Sequence, residues 1–159
     1  MIPIIIYNNV DHALPIIQKW KSKKQKVAFT NGCFDILHKG HVEYLQKSKS
    51  KVDRLIVGIN SDYSVRLLKG NTRPIQDQNS RASIIAALSS VDMVIIFDEK
   101  TPLELIIKIS PDIIIKGGDY SEEEMIGREH VLSYGGEVMI IPFEQGYSTS
   151  GIIEQIKNL

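Results

Sequence analysis

Apolar residues along this chain fall into short runs that are separated by amphipathic stretches. Five runs predict β-strands, at Lys26–Thr30, Arg54–Asn60, Met93–Phe97, Ile113–Lys116 and Glu137–Ile141. Several of them, such as Leu55-Ile56-Val57, lack polar alternation, which is typical of strands buried on both faces. The pattern therefore predicts a parallel sheet that is covered by helices.

Amphipathic stretches between these runs predict helices. They are His41–Lys49, Asp62–Leu68, Asn79–Ser89, Pro102–Ile109, Glu123–Tyr134 and Ser148–Lys157. Strand and helix alternate from Lys26 to the last residue. This alternation predicts an α/β fold, a single Rossmann-like doubly wound domain with a parallel five-stranded sheet.

Residues 1–25 precede the alternation and predict an N-terminal appendage of one strand-like piece and one helix. The helix is expected at about Leu14–Lys23, which puts Pro15 in the first turn, where proline is tolerated. Residues 26–159 are then the main domain.

Composition narrows the classes of function. The chain has 159 residues and a formal net charge of zero, without the basic footprint of a nucleic-acid-binding protein. Cys33 is the single cysteine, which excludes an internal disulfide and suits a reducing compartment. No apolar run approaches the length of a membrane span, so we expect no membrane association and a cytoplasmic protein.

Small, polar and charged residues follow several predicted strands. The carboxyl ends of parallel strands meet at one edge of a sheet, where doubly wound folds bind ligands. The loops are Thr30-Asn31-Gly32, Asn60-Ser61-Asp62, Lys116-Gly117-Gly118-Asp119 and Gln145-Gly146-Tyr147-Ser148-Thr149-Ser150. Their convergence predicts a single ligand site.

The first of these loops leads into a His-x-Gly-His pattern at His38-Lys39-Gly40-His41. A strand, a turn and a helix start leave backbone N–H groups and the positive end of a helix dipole facing an anion. The two imidazoles add donors that can be charged or neutral near pH 7. Gly40 lets a phosphate approach the backbone. The pattern indicates a nucleotide phosphate site, and a surface histidine or helix cap is the alternative.

Two basic residues elsewhere can add charge to this site. Lys69 precedes Gly70, a hinge that would let its ammonium swing onto the phosphates, or it is a solvated lysine at a helix end. Arg81 can bind a phosphate bidentately, or form a surface ion pair with Asp77 or Asp92.

Three further features have both a binding and a structural interpretation. The glycines of Lys116-Gly117-Gly118-Asp119-Tyr120 allow close approach of a base or ribose, or form a plain turn. Ser148-Thr149-Ser150 opens the last helix, and can hold a phosphate or cap the helix. Asp35 is a turn residue or an acceptor that helps to hold Mg²⁺.

The absence of two common nucleotide-binding motifs disfavours two classes of protein. The chain contains neither the Walker A pattern nor G-x-G-x-x-G, which disfavours a P-loop NTPase and a dinucleotide oxidoreductase. No Cys/His cluster has zinc spacing, and nothing specific supports Cys33 as a nucleophile. Phosphoryl-type transfer suits the residues better, because it needs positioning and charge stabilisation rather than a covalent nucleophile.

These motifs together resemble the cytidylyltransferase-like nucleotidyltransferase superfamily, whose fold carries the His-x-Gly-His motif. Within it the chain is most similar to the heptose 1-phosphate adenylyltransferases. The resemblance runs from about Lys26 to the C-terminus. It is carried by Thr30-Asn31-Gly32-Cys33-Phe34-Asp35-Ile36-Leu37-His38-Lys39-Gly40-His41-Val42, Asn60-Ser61-Asp62, Leu68-Lys69-Gly70, Arg73-Pro74, Lys116-Gly117-Gly118-Asp119-Tyr120 and Ser148-Thr149.

The resemblance implies a reaction in which a sugar 1-phosphate oxygen attacks the α-phosphorus of ATP and Mg²⁺-pyrophosphate leaves. It implies that His38, His41 and Lys69 are catalytic. The implied nucleotide-binding residues are Thr30, Asn31, Gly32, Cys33, Phe34, Gly40, Arg81, Lys116, Gly117, Gly118, Asp119, Tyr120, Ser148, Thr149 and Ser150. The implied substrate-binding residues are Asp35, Asn60 and Arg73, and Asp35 is an indirect metal candidate.

The resemblance also implies partners and an alternative. ATP with Mg²⁺, a sugar 1-phosphate made by a separate upstream kinase, and a homodimer or larger oligomer are expected. Polyol-phosphate cytidylyltransferases carry Arg-Thr-Glu-Gly-Ile-Ser-Thr-Thr before the last helix, where this chain begins with Phe143. That difference favours the adenylyl branch, in which Phe-Glu-Asp-Gly-Cys-Ser-Thr-Thr is usual, so Gln145, Tyr147 and Ser150 depart from it. Cytidylyl transfer to a polyol phosphate such as glycerol 3-phosphate is the alternative.

Overall fold

The structure is a computed structural model that describes residues 5–119, 121–143 and 146–159. Its strands are β1 (Ile6–Tyr7), β2 (Val27–Gly32), β3 (Arg54–Asn60), β4 (Met93–Phe97), β5 (Ile113–Gly117) and β6 (Glu137–Ile141). In the described residues they form one six-stranded sheet in the order β1-β4-β3-β2-β5-β6. All the pairings are parallel, as predicted.

The predicted five-stranded sheet was one strand short, because the strand-like piece predicted within residues 1–25 joins it. The additional strand, β1, has two residues and pairs with β4 at the edge of the sheet. The sequence indicated a strand-like piece here, but only its pairing with β4 places it in the sheet.

The helices lie between the strands as predicted, with differences at their ends. They are α1 (Val10–Ser22), α2 (Lys39–Lys49), α3 (Asp62–Lys69), α4 (Gln78–Ala86), α5 (Leu103–Ile109), α6 (Arg128–Ser133) and α7 (Thr149–Lys157). The predicted helix Glu123–Tyr134 is instead a 3₁₀ turn at Glu122–Glu124 followed by α6. Gly127 separates the two with a φ of 82°, a left-handed conformation that an α-helix does not accommodate.

The first helix starts four residues earlier than Leu14, the predicted start. The side chain of Asn9 accepts a hydrogen bond from Asp11 N at 2.8 Å and so caps α1 at its N-terminus. Pro15 consequently lies inside the helix rather than in its first turn. None of the helices in the described residues is long and apolar enough to span a membrane.

The elements predicted as an appendage pack onto the same sheet as the rest of the chain. Ala13, Ile17 and Trp20 of α1 are buried in one core cluster with the sheet and α5. Lys21 Nζ donates to Ile109 O at 2.8 Å, at the end of α5. Residues 5–25 therefore contribute an edge strand and a core helix.

Two apolar clusters cover the two faces of the sheet. One contains α1, α5 and α6, and the other contains α2 and α4. The chain passes from β2 to β3 and β4 in one direction, and from β5 to β6 in the other. The order therefore reverses between β2 and β5, and such a reversal opens a crevice at the carboxyl ends of the strands.

Candidate functional site

A cavity of about 260 Å³ opens at this crevice. Its walls come from the end of β2 and the loop after it, from α2 and β5, and from the start of α7. The lining residues are Asn31, Gly32, Cys33, Phe34, Asp35, His41, Tyr44, Lys69, Lys116, Gly117, Phe143 and Thr149. Most of them come from the loops and the His-x-Gly-His pattern that predicted the site.

Tyr44 and Phe143 also line the cavity, although the sequence motifs did not predict them as site residues. Tyr44 lies three residues after His41 on α2, a spacing that puts both on one helix face, and this signal could have found it. A Cβ atom at Gly117 would lie 2.5 Å from Phe143 Cε1 and 3.0 Å from Tyr44 Cε2. The glycine at this position therefore lets the two aromatic rings close against β5.

The two histidines of the pattern come together at the start of α2. Their ring centroids are 3.7 Å apart and their planes differ by 21°. His38 occupies the N-cap position of α2, and its backbone N–H donates to His41 Nδ1 at 3.4 Å. His38 Nδ1 is buried and has no hydrogen-bond partner in the described part of the chain. Of the two histidines, His41 lines the cavity.

Both imidazoles are held in the neutral form. Burial, together with the electrostatic effects of His38 and Lys69, lowers the pKa of His41 to about 4. Burial also lowers the pKa of His38. Near pH 7 each ring therefore carries one N–H donor and one acceptor nitrogen.

The loop before α2 packs against the histidines through the side chain of Phe34. Phe34 is buried with a φ of 47°, which is uncommon for a residue with a side chain. Its ring packs edge-on against His41 at 5.2 Å between centroids. A Cβ at Gly32 would lie 2.9 Å from that ring, so glycine is needed there.

Tyr147, from the last of the loops predicted to converge on the site, adds a third ring. It lies parallel to His38 within 19°, with the centroids 6.5 Å apart. A Cβ at Gly40 would lie 3.1 Å both from His38 Nδ1 and from Tyr147 Cβ. Gly40 therefore allows the start of α7 to approach the His-x-Gly-His loop.

Two lysines supply positive charge to the cavity. Lys69 is the last residue of α3 and is followed by Gly70 at a φ of 90°. The positive charge of Lys69 helps to lower the pKa of His41. Lys116 is the penultimate residue of β5, and its Nζ donates to Asn31 Oδ1 at 3.2 Å. Burial lowers the pKa of Lys116, while Cys33 acts in the opposite direction.

Asp35 touches the cavity but is engaged by the protein. The side chain is only 1% exposed, and it accepts from Arg73 Nε at 2.6 Å, Ile75 N at 2.8 Å and Gln76 N at 3.0 Å. Burial alone would raise its pKa, but these hydrogen bonds and the charge of Arg73 lower it overall. The ion pair and hydrogen bonds of Asp35 thus connect the loop after β2 to the segment before α4.

Magnesium coordination by Asp35 does not fit this arrangement. Both carboxylate oxygens already accept hydrogen bonds, and a guanidinium balances the charge. No group of three or more His, Cys, Asp or Glu residues within the described ranges can hold a metal ion.

Arg81 is not brought into the cavity. Its side chain is 0% exposed, and the guanidinium donates to Cys33 O at 2.6 Å, Asn60 O at 2.8 Å and Asp62 Oδ1 at 2.9 Å. A fourth hydrogen bond goes to Gln76 O at 3.0 Å. The ion-pair partner is therefore Asp62, and the arginine supports the site loops from behind.

Other predicted residues also lie behind or beside the cavity. Asn60 is buried and donates to Ser64 Oγ at 2.9 Å, and the hydroxyls of Thr30 and Tyr44 are hydrogen-bonded at 2.6 Å. Ser148 caps α7 by accepting from Gly151 N at 2.9 Å, beside Thr149 in the cavity wall. Ser150 is exposed, Gly118 and Asp119 follow β5, and Tyr120 lies outside the described residues.

The low pKa of His41 predicts a pH dependence of stability. As the pH falls from 6.5 towards 4, the unfolded chain binds a proton that folded His41 excludes, so the free energy of unfolding decreases over that window. His41→Gln should reduce the decrease without abolishing it, because the pKa of His38 is lowered too. Urea midpoints at about pH 7.5 and about pH 5 measure the difference. Exposed His12 changed to glutamine is the control, and an unaltered decrease in His41→Gln would contradict the prediction.

The parallel sheet is covered by helices on both faces, and two imidazoles lie at a helix start beside the crevice of the sheet. This combination defines a Rossmann-like nucleotidyltransferase fold. The chain belongs to the cytidylyltransferase-like family, whose model matches residues 29–155. The predicted family resemblance is thus confirmed.

Curated relatives are about half identical to this chain. The bifunctional protein HldE of Rhodopseudomonas palustris (strain BisA53) is 51% identical over 144 residues, which cover 91% of this chain and 29% of that protein. The bifunctional protein HldE of Geobacter metallireducens is 52% identical over 148 residues, which cover 93% of this chain and 30% of that protein. The chain therefore spans under a third of the length of these relatives.

Solved structures agree with the fold. The lipopolysaccharide core biosynthesis protein from Thermoplasma volcanium GSS1 has a TM-score of 0.63 and 34% identity, over 78% of this chain and 99% of that chain. Pantoate-beta-alanine ligase from Francisella tularensis has a TM-score of 0.67 at 20% identity, over 99% of this chain and 74% of that chain. The second likeness concerns the fold alone.

Proposed function

We propose that this protein is an adenylyltransferase that transfers AMP from ATP to a heptose 1-phosphate, releasing ADP-heptose and pyrophosphate. The observation that carries the proposal is the stacked pair of imidazoles, with ring centroids 3.7 Å apart, at the start of a helix beside the cavity. The half-identical HldE relatives and the lipopolysaccharide core biosynthesis protein support the heptose branch.

The proposed chemistry needs no covalent nucleophile. The acceptor phosphate oxygen attacks the α-phosphorus in line, and the bond to the pyrophosphate oxygen breaks. His38 and His41 donate N–H groups to the oxygens on which negative charge builds, and Lys69 and Lys116 add positive charge. Backbone N–H groups at the start of α7, next to Thr149, can bind further phosphate oxygens.

Other predicted binding residues receive indirect roles in this proposal. Arg81, Asn60, Asp35 and Arg73 hold the site loops in place, as their hydrogen bonds indicate. The nucleoside is proposed to bind against residues 116–119. Mg²⁺ is proposed to arrive with the phosphates of ATP, where it would neutralise charge on the leaving group. The homodimer, the separate upstream kinase and the cytoplasmic location stay predictions.

A matrix of donors and acceptors tests the proposal. The purified chain is incubated with ATP or CTP, each with heptose 1-phosphate or glycerol 3-phosphate, and pyrophosphate release and the sugar nucleotide are measured. We expect turnover with ATP and heptose 1-phosphate to exceed every other pair. Faster turnover with CTP and glycerol 3-phosphate would replace the proposal with the cytidylyl alternative, and no turnover with any pair would refute both.

A further inference from the structure

A second cavity, of about 160 Å³, adjoins the first one. Asn31 and Lys116 line both cavities, so the hydrogen bond between their side chains lies in the shared wall. We name the first cavity the histidine cavity and the second one, also lined by Pro102 and Met125, the methionine cavity. Together they extend across the crevice between β2 and β5.

The two cavities lie on opposite faces of the sheet edge. Tyr44 and Phe34 of the histidine cavity belong to the apolar cluster of α2 and α4. Ile114 and Met125 of the methionine cavity belong to the cluster of α1, α5 and α6. A ligand that occupied both would therefore pass over the carboxyl ends of β2 and β5, beside the ammonium group of Lys116.

The methionine cavity combines an apolar wall with one carboxylate. Ile114 and Met125 are 3% and 7% exposed and form its floor, while Ile126 is 46% exposed at its edge. Glu124, which is exposed, supplies the carboxylate.

The backbone that carries these side chains is closely packed. A Cβ at Gly127 would lie 2.8 Å from Ile106 Cγ2 of α5, so the segment after Ile126 sits directly on that helix. The wall of the cavity is therefore built by tertiary packing and not by an exposed loop alone.

We propose that the methionine cavity binds the sugar of the acceptor, so that its phosphate reaches over Lys116 to the nucleotide in the histidine cavity. This inference rests on the proposed adenylyl transfer. In-line attack requires the acceptor oxygen and the leaving pyrophosphate on opposite sides of the α-phosphorus. Two cavities that flank one lysine provide those two sides.

The lining suits a polyhydroxylated ring that carries a phosphate. The C–H face of a sugar packs on Met125 and Ile126, and its hydroxyls donate to the carboxylate of Glu124. Lys116 faces the phosphate, which is the negative end of the acceptor. A nucleobase, which is planar and aromatic, could also pack on this apolar wall, and its binding there is an outcome of the test.

Steady-state kinetics of Glu124→Gln and Ile126→Ala test the assignment. Both positions are exposed, so the variants should fold, as circular dichroism and thermal melting will verify. We expect each variant to raise KM for heptose 1-phosphate by about tenfold. The reason is that the loss of one polar partner or one apolar contact weakens binding of the sugar by about that factor. KM for ATP should stay within about twofold of the wild-type value.

Matched controls are available in the same chain. Glu123→Gln changes the neighbouring carboxylate in the same 3₁₀ turn, and Ile84→Ala removes an exposed isoleucine from α4. Neither residue lines the methionine cavity, so both controls should keep wild-type KM values for both substrates.

The outcomes separate the two proposals. If the wild-type chain does not turn over heptose 1-phosphate, the proposed function fails and this inference falls with it. If the wild-type chain is active but both variants keep the wild-type KM for the acceptor, only the sugar subsite is refuted. A rise in KM for ATP instead would assign the cavity to the nucleobase and would also overturn the sugar subsite.

Discussion

Replacing His41 by alanine should lower kcat by about 10²–10³-fold, because one preorganised donor to the transition state is lost. The imidazole is held between Phe34 and His38, at 5.2 and 3.7 Å between ring centroids, so its orientation is set before substrate binds. Charge builds on the phosphate oxygens mainly in the transition state, so the affinity for ATP should change far less than kcat.

Two further variants make the test of His41 specific. His41→Gln restores an N–H donor on a flexible side chain and should recover part of the lost rate. His12→Ala removes an exposed histidine from α1 and should leave kcat unchanged. A wild-type kcat in His41→Ala would refute the catalytic role, and an equal loss in His12→Ala would indicate a general effect on folding.

Replacing Arg81 by methionine should lower the free energy of unfolding by about 3–5 kcal/mol. The substitution leaves the carboxylate of Asp62 and the carbonyl groups of Cys33, Asn60 and Gln76 without their donor, in a place where the arginine is 0% exposed. Buried acceptors that lose a partner carry the full cost of desolvation. Urea denaturation with a constant m-value measures the change.

Arg66→Met on α3 is the matched control for Arg81. Arg66 is exposed at the surface of α3, so its replacement should change the free energy of unfolding by less than about 0.5 kcal/mol. Similar small losses in both variants would show that the network around Arg81 does not stabilise the fold. A stable Arg81→Met protein that no longer binds ATP would instead return Arg81 to the nucleotide site.

The fold could be predicted closely where an apolar run is long enough to be recognised in the sequence. β3, β4 and β6 begin and end at the predicted residues, and the parallel pairing follows from their uninterrupted apolar runs. The errors fall where a single contact decides the structure. Asn9 starts α1 by capping it, Gly127 divides a predicted helix, and β1, predicted as part of an appendage, joins the sheet by pairing with β4.

The residues of the candidate site also fall into those that local spacing predicted correctly and those that only packing decided. The spacing of His38 and His41 places both imidazoles at one helix start, and the structure stacks them there. The same kind of reasoning proposed Asp35 and Arg81 for ligands, whereas hydrogen bonds within the protein occupy both. Residues 38 and 41 are close in the chain, but Arg81 and Cys33 are brought together by packing.

The sequence by itself determined the alternating α/β architecture, the helix start that carries the histidine pair and the family, because these depend on local periodicity and short-range spacing. The tertiary structure alone decided which polar side chains remain available to a ligand. A guanidinium or carboxylate looks the same in a sequence whether it faces a cavity or a buried carbonyl group. Only the packing of distant segments around the crevice between β2 and β5 distinguishes the two.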